Sequence, residues 1–278
     1  MLLLAAGNTL HVLELTSPVG ESKTGGGLVP LCSANTRHMI KAISCSPSRI
    51  LVADKKDSLL FFAFRKDTFT LEYLQGHQNM RLSSDCFLVS DDFAIGCDLL
   101  GSIYGLSFNT HEDTPEVVLS PREEFYYSLG ETCLRVIKGS FLPPTLVDRE
   151  DKMESFIAPT LLGSIVVFAR VPGDEDFQVL RILQNVMALH PETQPLLGSS
   201  HELYRSLLAP SRGVLDGDLL QEFAHLPKHQ QQAVVDEWKR TLLQATELTV
   251  VSPELQPDAV TPETVLRLLE MLRRLAFT

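Results

Sequence analysis

A chain of 278 residues with 44% hydrophobic content carries enough apolar matter for a sizeable core, which excludes a disordered polypeptide. Its 35 acids against 24 bases leave a net charge of −11, and no stretch is basic, which argues against a surface that grips nucleic acid by itself, because phosphate neutralisation carries most of that affinity. Five cysteines, none in a CxxC pair, read as reduced thiols of a cytosolic or nuclear protein, and no apolar run approaches membrane-spanning length.

The opening "MLLLAA" is too short for a signal peptide and lacks a basic leader, so it reads as a strand. Leu2–Leu15, "LLLAAGNTLHVLEL", is two apolar runs around Gly7-Asn8, a tight-turn signal that predicts a β-hairpin. Ser17–Gly27 follows as a polar, glycine-rich loop. "HMIKAIS" (His38–Ser44) predicts a strand, "ILVADKKDSLLFFAF" (Ile50–Phe64) a second hairpin, and "FTLEYL" (Phe69–Leu74) an outer strand. The pattern then returns. "DCFLVS" (Asp85–Ser90) predicts a strand, and "FAIGCDLLGSIYGLSF" (Phe93–Phe108) a third hairpin that aligns with the second at a constant offset of 44: Asp54 on Asp98, Ser58 on Ser102, Phe64 on Phe108. In the first hairpin Thr9 holds the place of Ser58, and "TLLGSIVVFAR" (Thr160–Arg170) supplies a fourth copy. Strands recurring at a period of some 40 residues are the sequence form of propeller blades, because one four-stranded sheet cannot bury both of its faces alone. The loops Asn109–Glu116 and Leu142–Ser155 separate the copies and are expected to be exposed.

After Arg170 the period of two stops. Pro172 and Gly173 precede a helix with Asp174 as expected N-cap and Phe177, Leu180, Leu183 and Met187 at helical spacing. Asp216 predicts the N-cap of a second helix, with Asp218 in its first turn, and Pro227 ends it and opens the next. Val234, Trp238, Thr241 or Leu242, and Ala245 form the stripe of that third helix. Thr261 caps a last one, with Pro262 at its first position and Val265, Leu268, Leu269, Leu272 and Leu275 on one face. The expected architecture is therefore mostly β with a helical C-terminal tail: a partial β-propeller of four to five blades over residues 1–171, its ring left open or completed by a partner, then a small α-helical domain over residues 172–278.

No catalytic constellation stands out. "GESKTGGG" (Gly20–Gly27) resembles a phosphate loop in composition, but Ser22 occupies the place before Lys23 where a Walker motif needs glycine, and no helix pattern follows. His225 and His229 have the spacing of a helical zinc pair, yet Pro227 between them breaks the helix that spacing requires. His201, in "HELYR", has no HExxH context. Asp216 and Asp218 are explained by helix capping. Cys133 has no activating base in view and reads as a small buried hydrophobe, and Trp238 reads as core. The expectation is a non-enzyme with no catalytic, cofactor or metal residues.

The landmarks "AAGNTLHVLEL" (Ala5–Leu15), "ILVADKKDSLLFFAFRKD" (Ile50–Asp67), "FAIGCDLLGSIYGLSF" (Phe93–Phe108), "YSLGETCLRV" (Tyr127–Val136) and "GVLDGDLLQEF" (Gly213–Phe223) occur in an order that resembles one C-terminal region. That region is shared by the A subunit of the cleavage and polyadenylation specificity factor, the large propeller subunit of splicing factor 3b and the large subunit of the damage-specific DNA-binding protein. "LGETCL" and the terminal "RRLAF" look nearest to the splicing-factor member. The resemblance implies much of a third propeller followed by a helical domain. It implies a non-enzymatic scaffold whose partners are protein subunits of a nuclear complex for pre-mRNA splicing or 3′-end processing, with nucleic acid contacted indirectly and neither a membrane nor a small-molecule substrate involved. The alternative it carries is a nucleic-acid-binding module or an adaptor of a cullin ubiquitin ligase in DNA-damage recognition. Members of this family have two propellers ahead of this region, and the present sequence begins at Met1 without them. Either it is a piece of a longer scaffold or a partner fills the gap.

Overall fold

The computed structural model describes residues 1–16, 27–108, 120–139, 155–171, 173–191, 193, 211–247 and 259–277. The expected loops 17–27, 109–116 and 142–155 fall outside these residues except at Gly27 and Ser155, as do Pro172, His201 and the phosphate-loop lookalike apart from its last glycine.

The described strands form four sheets, and the hairpins read at Ile50–Phe64 and Phe93–Phe108 are the two central strands of the second and third, while the hairpin at Leu2–Leu15 lies at one edge of the first. The first sheet has the order β1 (Leu2–Ala6), β2 (Thr9–Thr16), β3 (Gly27–Asn35). The second runs β4 (Ile40–Cys45), β5 (Ile50–Asp54), β6 (Ser58–Arg65), β7 (Thr70–Gly76), and the third β8 (Ser83–Ser90), β9 (Phe93–Asp98), β10 (Ser102–Ser107), β11 (Arg122–Ser128). The fourth has β12 (Ile137–Lys138), β13 (Ser155–Pro159) and β14 (Ile165–Ala169) in that order. The strands β3, β11, β12 and β13 were not legible as strands, and the fourth copy, read from Thr160, begins just after β13.

The hairpin turns follow from their residues. Ala6 pairs with Thr9, leaving a two-residue turn whose first position, Gly7, has φ +63°, the type II′ choice that matches the twist of the flanking strands. Asp54 and Asp98 end β5 and β9, and Thr160 directly follows β13, so the three occupy equivalent corners. Each corner side chain turns back on its own loop. The Asp54 Oδ1 accepts from the amides of Lys56 and Asp57 at 2.9 and 3.0 Å. The Asp98 Oδ1 accepts from Leu100 and Ser102 at 3.0 and 2.9 Å, and the Thr160 Oγ1 from Ser164 at 3.0 Å. Short polar side chains that satisfy amides two to four residues on replace the ladder bonds a turn must give up. Gly101 and Gly163 supply the left-handed backbone in the two "LLGS" turns, with φ +88° and +96°, whereas in the second sheet Ser58 itself takes φ +63°.

The two "LLGS" turns are joined through one short segment. The Thr132 hydroxyl donates to the Leu99 carbonyl at 3.0 Å, and the Thr132 carbonyl accepts from the Leu161 amide at 2.9 Å. The Glu131 carboxylate accepts from the hydroxyls of Thr160 and Ser164. A Cβ on Gly101 would stand 2.9 Å from the Glu131 nitrogen, so glycine there serves both the turn and this approach.

In the β part the core lies between sheets. Leu10, Ile50, Val52 and Phe62 pack together from the first and second sheets. Phe61 meets the ring of Phe108 edge-on. Hydroxyls of Ser46 and Ser48, in the β4–β5 turn, donate to Asp91 in the β8–β9 turn. Along the other edge, β1 is the last strand of its sheet, at the position that β4 covers on β5 and β8 covers on β9.

Four helices follow: α1 (Asp174–Leu189), α2 (Gly217–His225), α3 (Lys228–Glu247) and α4 (Pro262–Phe277). Their facing stripes bury Leu180, Leu183, Met187, Phe223, Trp238 and Leu269, among others, in one core. The stripe of α3 runs through Leu242 rather than Thr241, whose hydroxyl donates to the Glu237 carbonyl. The Asp216 carboxylate caps α2 as expected, accepting from Asp218 and Leu219 at 3.0 and 3.3 Å. At α4 the Thr261 hydroxyl accepts from the Thr264 amide at 3.3 Å. One cap differs: Gly173 is the N-cap of α1 and offers no side chain, while Asp174 is already helical. Asp174, Glu175 and Asp176 in the first turn face the positive end of the helix dipole instead. No helix among the described residues is long and apolar enough to cross a membrane.

The chain divides into two compact units, Met1–Ile137 with Ala158–Ile165, and Lys138–Ile157 with Val166–Thr278.

Candidate functional site: a buried polar cluster around Arg81

The segment between β7 and β8 carries Arg81 into the first unit, with its side chain only 16% exposed. Its guanidinium lies over the ring of Tyr104 at 4.4 Å from the centroid and over that of Tyr126 at 5.0 Å. One nitrogen donates to the Glu123 carboxylate at 2.7 Å, and another is 3.5 Å from Asp98. Its Nε has no acceptor among the described residues. A planar, weakly hydrated cation is the side chain suited to this position, stacked on aromatic faces and paired with two carboxylates.

The surrounding hydroxyls form a chain. Ser58 is bonded to the Tyr104 hydroxyl at 2.9 Å and to the His77 Nδ1 at 3.1 Å, and Ser102 to the Tyr126 hydroxyl at 2.8 Å. Burial pushes the Tyr104 hydroxyl well above the ordinary phenol range. Burial, aided by the Arg81 charge, lowers His77 to about 4, so this imidazole is neutral near pH 7. The Asn79 amide nitrogen lies 3.5 Å from its Nε2, and its Nδ1 shares a hydrogen bond with the Ser58 hydroxyl. The linkage has a definite sign. The unfolded chain takes up a proton near the ordinary histidine value while the folded chain resists until about pH 4. This contribution to stability is complete above about pH 6.5 and is lost as pH falls toward 4, by about 3 kcal/mol for a shift of that size. Urea titrations across this range should show the fall, and a His77→Gln variant should show a shallower one. Parallel curves for the two proteins would refute the assignment.

The residues weighed in the sequence fall as follows. His225 ends α2, where it pairs with Glu222 at 3.5 Å, and His229 lies in α3, so the two do not share a helix. Trp238 is fully buried, and its Nε1 donates to the Val179 carbonyl at 3.0 Å. Cys133 is fully buried and its thiol donates to the Arg135 carbonyl at 3.2 Å, the bond of a protonated sulfur. Its neighbour Cys97 is held well above the ordinary thiol range by a hydrogen bond to Cys133 and by burial. The same hydrogen bond lowers Cys133 from the ordinary thiol value, while its full burial keeps the sulfur from solvent.

Sequence reasoning missed Arg81, because its partners come from three separate strands and none forms a short motif. It also missed the group among the described residues able to hold a metal ion, His38, Asp54 and Asp57. His38 Nδ1 is 3.1 Å from the Asp54 carboxylate and 3.5 Å from that of Asp57. Burial raises the pKa of Asp54, but the amides of Lys56, Asp57 and His38, with the nearby imidazole, bring it below the ordinary carboxylate value.

The polar clusters thus join strands and sheets, and the one hydroxyl–imidazole contact described within them, Ser58 with His77, is buried. Apolar side chains instead stand out at the surface of the first sheet: Met1, Leu2, Leu4, Leu15, Leu28 and Val29 are all exposed. Large exposed apolar patches mark surfaces that meet other molecules.

Residues 1–225 match the family described as the CPSF A subunit region. The chain is 26% identical over 222 residues to splicing factor 3B subunit 3 of Danio rerio, covering 73% of this chain and 18% of that protein. It is 27% identical over 257 residues to the pre-mRNA-splicing factor prp12 of Schizosaccharomyces pombe, covering 88% of this chain and 20% of the relative. Spliceosome-associated protein 130 A of Arabidopsis thaliana is 27% identical over 224 residues, 73% of this chain and 18% of its own length. The chain therefore spans about a fifth of these relatives. With a family match that runs from the first hairpin through α2, across both the polar corners and the Arg81 cluster, the chain belongs to the CPSF A subunit region family.

Proposed function

We propose that this chain is a non-enzymatic interaction scaffold of a nuclear RNA-processing assembly, with pre-mRNA splicing as its setting. The observation that carries the reading is the family match over residues 1–225, together with relatives named as splicing factors. The four sheets are read as blades of a partial propeller over residues 1–171, followed by a helical domain over residues 172–278. The partners are protein subunits. Nucleic acid is reached through them, in keeping with a net charge of −11. The exposed apolar side chains of the first sheet suit such a role, and the tightly satisfied corners keep the sheets in register beneath them.

Affinity purification of the tagged chain from nuclear extract tests the proposal. Recovery of splicing-complex subunits, resistant to nuclease, is the expected result. Recovery of no splicing or 3′-end-processing subunit would reject it.

A further inference from the structure

We propose that His38, Asp54 and Asp57 form a binding site for a borderline divalent cation of the zinc type, independent of the scaffold role. His38 lies just ahead of β4, and the two aspartates flank the turn between β5 and β6. One potential ligand atom from each lies within 4.8 Å of the others. The imidazole Nδ1 faces Oδ1 of Asp54 at 3.1 Å and Oδ1 of Asp57 at 3.5 Å. Those separations bracket the edge of a tetrahedron around zinc. Metal–ligand bonds of 2.0–2.1 Å put neighbouring donors about 3.3 Å apart. The two edges that meet at His38 are thus already close to those of a zinc tetrahedron, and the third, between the two carboxylates, is no longer than 4.8 Å.

The supporting contacts are already in place. Asp54 has a fully buried side chain, and three main-chain amides, those of His38, Lys56 and Asp57, hold both of its oxygens. This is the kind of outer-shell fixing that keeps a ligand oriented. His38 and Asp57 are 33% and 18% exposed, so the fourth position opens to water. The second oxygen of Asp57 lies 3.9 Å from the Arg37 guanidinium, which leaves the first oxygen for the ion. An imidazole with only two carboxylates suits zinc or cobalt(II). Magnesium and calcium call for more oxygens and no nitrogen. The ion would clip the strand leading into β4 to the β5–β6 turn.

The test uses the full chain, with zinc and cobalt(II) as probes. Titration with cobalt(II) should give one equivalent of binding with the intense visible bands of a four- or five-coordinate site, and zinc should displace it. Saturating zinc, at about a hundredfold excess over its dissociation constant, should raise the melting temperature by about 5 °C. His38→Ala and Asp57→Asn should each weaken binding at least tenfold and abolish the thermal shift. A His225→Ala, His229→Ala double variant should behave as the parent. The proposal is overturned if the parent chain shows no bound cobalt(II), if binding is unchanged in both His38→Ala and Asp57→Asn, or if only the double variant loses it. Should one single variant fail to fold, the other decides.

Discussion

Replacing Trp238 by alanine is expected to remove about 4 kcal/mol of stability from the helices, within the range for truncating a large buried aromatic. The side chain is fully buried in α3 and is surrounded by the residues that α1, α2 and α4 bring to the same core. Truncation leaves a cavity that helices held by several other contacts cannot wholly collapse. It also leaves the Val179 carbonyl without the indole donor now at 3.0 Å. A Trp238→Phe variant refills most of the volume but not the hydrogen bond, so its loss should be smaller, about 1–2 kcal/mol. Trp238 is the single tryptophan of the chain, so unfolding must be followed by circular dichroism at helical wavelengths. A loss below about 1 kcal/mol for the alanine variant would mean that the residue is not a core anchor.

Arg81→Ala is expected to cost about 3–5 kcal/mol in the β part, the range for breaking a buried ion pair by removing one partner. Asp98, with a side chain 3% exposed, and Glu123, at 22%, would lose their shared counter-charge. The rings of Tyr104 and Tyr126 would lose the cation they face. Arg81→Lys retains the charge but not the flat fork that stacks and pairs at once, so it should recover only part of the loss. Cys86, Cys97 and Cys133 are buried in this part, and their reactivity toward a thiol reagent during urea unfolding follows it directly. Trp238 fluorescence follows the helices in the same sample. The variant offers a second check: without the Arg81 charge His77 should titrate higher, which shortens the pH range over which acid destabilises the protein. A loss under about 1 kcal/mol would place Arg81 with ordinary surface pairs.

The parts legible in the sequence were those whose cause is local. A hairpin with aspartate or threonine at one corner and serine four residues on writes its turn chemistry into five consecutive letters. That is why Asp54, Asp98 and Thr160 align on their letters alone. Asp216 and Thr261 were legible for the same reason, since a cap bonds to amides two or three residues away. Asp174 misled because acids enrich both the cap and the first turn of a helix, and only the backbone angles separate the two. Strand β3, with Pro30 and no alternation, is defined by its pairing with β2 and not by its own residues. The Arg81 cluster was illegible because its members act at a distance: Glu123 is 42 positions away and Tyr126 still further. Nothing in "HQNMRLSS" distinguishes this arginine from one on a solvated loop. His38 and Asp54, 16 positions apart, were invisible for the same reason.

The outer rim of β1 bears on how the protein behaves in a test tube. Sheets commonly protect a terminal strand with a lysine, a proline or an irregularity that spoils further pairing. Leu-Leu-Leu-Ala-Ala has none of these, and its register with β2 is unbroken. Among the described residues no strand pairs with the outer edge of β1, so that edge is a template for an extended polypeptide, including its own kind. Handling at high concentration therefore favours fibrous or amorphous association that begins there, and a soluble, well-behaved sample depends on whatever keeps that template capped.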